Sequence, residues 1–146
     1  MKEAMAGAMF FGLLIGFWGF VHGAEWVEFI KTDNRVFFYD KQYVSEPSPG
    51  IIAVWVKTAP RSETTRQRDI VRLTEIDSTK NFSTYAYTTA LEEINCNTRE
   101  IRTLSLTNYD SQGTKLSAVY YPSEWFPIPP GTPQEDLSRI VCAKAE

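Results

Sequence analysis

Ile51-Ile52-Ala53-Val54-Trp55-Val56-Lys57 is a near-continuous apolar run that closes on a single lysine. Its β-branched content and short length favour a central strand over a buried helix. Breakers bound it on both sides. Glu46-Pro47-Ser48-Pro49-Gly50 precedes it and reads as loop, and Ala59-Pro60 ends it. A central strand needs neighbours on both edges, and the rest of the chain must supply them.

Upstream, Trp26 to Lys31 and Arg35 to Asp40 read as two strands joined at Asp33-Asn34, a β-hairpin. Downstream, Ser62 to Ile76 changes period. Ser62 is the expected N-cap of an amphipathic helix whose apolar stripe is Ile70, Leu73 and Ile76. Arg61, Arg66, Arg68 and Arg72 alternate there with Glu63, Asp69, Glu75 and Asp77, which reads as a solvated face and not an anion site. Tyr85 to Cys96 is a long strand. Arg99 to Asn108 and Lys115 to Tyr121 form a second hairpin around Tyr109–Gly113. Asp110 to Gly113 lacks the further oxygen ligands that a calcium loop needs.

The stretch from Trp125 to Gly131 carries three prolines and reads as an irregular crossover pinned by Trp125 and Phe126. A last helix follows. Thr132 caps it, Pro133 takes the first helical position, Glu135 completes a capping box, and Leu137, Ile140, Val141 and Cys142 form its stripe. The sum is an α+β domain: an antiparallel sheet of about six strands with helices packed on one face.

Met5 to Val21 is an unbroken apolar and glycine-containing run ahead of His22-Gly23-Ala24. It reads as a signal peptide over residues 1–24, cleaved after Gly23 or Ala24, with a single domain over 25–146. The alternative is a retained anchor, since the run lies at the lower limit for spanning a bilayer. No cysteine sits near the cleavage point, so lipid attachment there is excluded. The chain has 146 residues, a net charge of −3 and one histidine, His22. The mild acidity argues against nucleic acid or anionic membrane as partner. Cleavage would remove the only imidazole, and with it histidine-based triads, zinc sites and general bases.

Only two cysteines are present, Cys96 and Cys142. In an exported protein such a pair most often forms a disulfide. Closing a loop of this length removes about 4 kcal/mol of unfolded-chain entropy. The competing reading is a redox or nucleophilic thiol. Against it, the two are far from a CxxC spacing and no histidine is at hand to activate either. The disulfide would staple the last helix to the strand ending at Cys96.

Several landmarks recur in a familiar order: Tyr39-Asp40 after a Trp-containing strand, Val54-Trp55-Val56, Glu93-Ile94-Asn95-Cys96 followed by Arg99 and Arg102, Tyr109-Asp110 with Gly113, Trp125, Pro129, and a terminal helix with Cys142. From Ala24 to Ala143 the sequence resembles the surface-adhesin protein E family of bacterial exported proteins. The resemblance implies a small antiparallel sheet packed against helix, with a paired cysteine tying the C-terminal helix to the sheet. It also implies outer-surface display, binding of extracellular-matrix and plasma proteins, and self-association, hence a possible homo-oligomer. The family's lipid-anchoring cysteine has no counterpart here, so a soluble periplasmic or extracellular state is expected.

The expected function is thus a non-enzymatic, protein-binding module of the cell envelope. The alternative is a periplasmic small-ligand carrier or an envelope assembly factor. No residue pattern asks for a cofactor or a metal, and membrane contact is expected only through an uncleaved N-terminal segment. Glu92, Glu93 and Glu124 are the carboxylates an enzyme could use, but neighbours on a strand face opposite ways, so Glu92 and Glu93 cannot flank one substrate atom. All seven tyrosines lie beyond the leader. Tyr39, Tyr43, Tyr87, Tyr120 and Tyr121 are the expected surface anchors, and Trp55 is expected in the core.

Overall fold

The computed structural model describes residues 23–120 and 122–143. The leader reading of residues 1–22 and the anchor reading of Tyr121 lie outside them. Eight strands and two helices follow in the order β1 (Trp26–Lys31), β2 (Arg35–Asp40), β3 (Ser45–Ser48), β4 (Ile51–Pro60), α1 (Glu63–Ile76), β5 (Tyr85–Asn95), β6 (Glu100–Asp110), β7 (Lys115–Tyr120), β8 (Phe126–Pro127) and α2 (Pro133–Cys142). All pairings are antiparallel, in the order β1-β2-β4-β5-β6-β7. The six expected strands are this path.

The two additional strands correct two loop readings. β3 pairs with the first half of β4, in line with β2, which pairs with the second half. β8 pairs with the start of β6. Both contain proline, and both lie at the sheet's margin, where a missing N–H costs no ladder bond. Phe126 does not pin the crossover, because it is 57% exposed; Ile128 packs on the core instead. The first hairpin connection is also longer than expected, spanning Thr32-Asp33-Asn34, with Thr32 N–H donating to Arg35 O.

Both helices are capped as their sequences ask. The Ser62 hydroxyl accepts from Thr65 N–H and the Thr132 hydroxyl from Glu135 N–H. Glu135 reaches back one residue further than a capping box requires and accepts from Gly131 N–H. On α1 the stripe differs from expectation. Leu73 is buried and Ile70 half-buried, but Ile76 is 71% exposed, and Thr65 and Asp69 are buried in its place. Asp69 can be buried because Arg35 of β2 grips it with two hydrogen bonds, at 2.8 and 2.5 Å.

Alternation along β4 puts Ile52, Val54 and Val56 on one face and Trp55 and Lys57 on the other. The first face carries the main core, completed by Tyr39, Ile94, Leu137 and Val141. α2 closes it at one end, and the Cys96–Cys142 disulfide (Cα–Cα 5.7 Å) ties the end of that helix to the end of β5. α1 covers a second, smaller core of Leu73, Phe82 and Tyr85. Trp55 therefore is not a core residue. It is partly buried on the face that neither helix covers.

Candidate functional site

The three carboxylates singled out in the sequence do not converge. Glu92 lies on the helix face, where its carboxylate accepts from the Thr103 hydroxyl at 2.9 Å. Glu93 lies on the opposite face, paired with Arg102 at 2.6 Å. Glu124 is exposed in the segment after β7. Among the described residues no group of three or more His, Cys, Asp or Glu is placed to hold a metal ion.

The uncovered face gathers aromatic side chains across five strands. Trp26 of β1, Phe38 of β2, Trp55 of β4, Tyr87 of β5 and Tyr109 of β6 form a band, all partly buried. Tyr87 and Tyr109 are register partners whose rings stack at 5.1 Å. Lys57 lies within the band. Its ammonium sits 4.6 Å from the Phe38 ring, 5.0 Å from Trp26 and 5.7 Å from Tyr87. Burial lowers its pKa, while the ring faces favour the charged form. Small residues between the large ones, Ala53, Thr89, Ser105 and Thr107, are buried. At the far end of the same face, Arg102 holds Glu93 and lies 4.7 Å from the Trp125 ring.

A family model for surface-adhesin protein E matches residues 26–143. The chain belongs to that family. Among curated proteins, none matches the chain. The match spans the sheet, both helices and the disulfide, so the architecture described above is how this member of the surface-adhesin protein E family is built.

The expected tyrosine anchors separate into three kinds. Tyr43 and Tyr120 are exposed, at 50% and 71%. Tyr87 belongs to the aromatic band. Tyr39 is buried in the main core, because β2 turns its odd-numbered side chains toward the helices. Sequence reasoning missed Trp26, Phe38, Trp55, Lys57 and Tyr109 as a group. A signal for two of them existed: Trp55 and Lys57 share parity within the β4 run, and a lysine at the end of an apolar strand marks its wetter side.

The helix face is also not fully covered. A trough of about 360 Å³ lies between the two helices, and a second of about 420 Å³ lies between α1 and β7. Glu92 borders the first. Burial there pushes its carboxyl up to about 7, with the Thr103 hydrogen bond acting the other way. No helix among the described residues is long and apolar enough to cross a membrane.

Proposed function

We propose that this chain is a non-enzymatic, exported cell-envelope protein that binds protein partners through the aromatic band on the open face of its sheet. One observation carries the reading: five rings from five strands and one lysine occupy a face that neither helix covers. Aromatic and cationic side chains are the usual anchors of protein interfaces, and a sheet presents them at fixed spacing with little ordering entropy left to lose. Family membership and the disulfide both agree with an exported protein.

The test is capture of partners from the protein's own envelope extract. Trp55→Ala and Tyr109→Ala should each reduce capture at least about tenfold with the fold intact by circular dichroism. Glu93→Gln and Glu124→Ala should retain a partner. Loss of activity in one folded Glu variant, with every ring variant unaffected, would favour an enzyme instead. Export itself is proposed to proceed through residues 1–24, giving a mature start near Ala24 or Glu25. Intact mass of protein from native cells decides this, and a mass that includes Met1 with the protein in the inner membrane refutes it. Small-ligand carriage is the second reading, and the trough beside Glu92 is the observation that favours it.

A further inference from the structure

The trough between α1 and α2 has an asymmetric distribution of charge. Its floor includes Thr88, Ala90 and Glu92, which alternate along β5, with Val56 and Leu106 beside them. Alternate side chains repeat about every 7 Å, so Thr88 to Glu92 spans about 13 Å. At the end near Tyr85, β2 supplies Arg35 and α1 supplies Arg72. Both guanidinium groups are directed at Asp69, at 2.5 and 3.9 Å. From α2 the lining is Pro133, Gln134 and Leu137, none of them charged. Glu92 at the other end has the Thr103 hydroxyl as its partner and no cation within salt-bridge reach among the described residues.

An apolar trough with an acid at one end and two engaged arginines at the other selects by charge and by shape. We propose that it binds a primary ammonium carrying an unbranched apolar chain, with the ammonium donating to the Glu92 carboxylate and the chain lying over Ala90, Val56 and Leu106. The arginine end repels a cation, which fixes the orientation. An anionic amphiphile would have to reverse, placing its tail against the carboxyl and stripping it of water without a hydrogen bond in return. Because burial holds the Glu92 carboxyl near 7, the site exchanges a proton for the ligand's charge as the pH rises through neutrality. This inference concerns the face opposite the aromatic band, so it and the protein-binding reading can fail separately.

The experiment is an NMR titration of the purified protein with n-octylammonium at pH 6 and pH 8, with n-octanoate and n-octanol as controls. The expected result is shifts confined to residues lining the trough, and affinity about tenfold higher at pH 8 than at pH 6. Glu92→Gln should lower the affinity at pH 8 at least about tenfold and abolish the pH dependence. Ala90→Leu should weaken binding by filling the floor while leaving the carboxylate in place, which keeps the test valid if the Glu92 variant folds poorly. Octanoate binding as well as octylammonium, shifts that map to Trp26, Phe38 and Tyr87, or an affinity unmoved by Glu92→Gln would each overturn the proposal.

Discussion

Asp69 is buried and Glu92 partly buried, and the fold deals with the two carboxylates in opposite ways. Asp69 is paired with Arg35, whose guanidinium donates two hydrogen bonds to it. Removing that partner strands a charge in the interior, so Arg35→Met should destabilise the fold by about 3 kcal/mol in urea titration. Glu92 has a hydroxyl and no cation, and its carboxyl is raised from 4.5 to about 7. Between these values the folded protein binds more protons than the unfolded chain. Stability should therefore fall as pH rises from 4.5 to 7 and level off above it. Glu92→Gln should remove that slope and stabilise the protein at pH 8 by on the order of 2 kcal/mol, read from urea midpoints at pH 5 and 8. The opposite facing of Glu92 and Glu93 was legible from strand alternation alone. The poor solvation of Glu92 was not, because it depends on where two distant helices settle. Tyr39 was misread for a related reason: Phe37, Phe38 and Tyr39 are all aromatic, so β2 carries no internal mark of its inner side.

At the level of elements, local chemistry was the most readable. Ser62 and Thr132 cap their helices through the bonds their sequences imply, and each cap replaced by alanine should cost about 1 kcal/mol. Hydrogen exchange should locate the loss in the first turn of the altered helix. The long strands β4, β5 and β6 were legible as apolar or aromatic runs. β3 and β8 were not, since a tetrapeptide interrupted by Pro47 and a Phe-Pro pair become strands only when a neighbour's edge is present to receive them. Ile76 was assigned to the stripe of α1 by spacing, but the helix buries Thr65 and Asp69 along that stripe in order to meet Arg35. Here one specific ion pair prevailed over hydrophobic periodicity.

For the whole molecule, the antiparallel α+β architecture and the family were both accessible from the order of landmarks, and the aromatic band was not. It is assembled from β1, β2, β4, β5 and β6, and no local pattern in any one of them announces it. The disulfide acts at this same scale. Cys142→Ser should cost about 2–5 kcal/mol, measured by thermal or urea unfolding, because it frees the helix that closes the main core. The bond also makes a closed ring of everything between its ends: β6, β7, β8 and α2. The exposed tip at residues 111–114 lies inside that ring. A protease that nicks the tip leaves both pieces covalently joined and still paired, β6 on one piece with β7 and β8 on the other. Such a nicked molecule should run as one band without reductant and as two with it. A single cut at this exposed tip would therefore not release β7, β8 and α2 from the rest of the sheet.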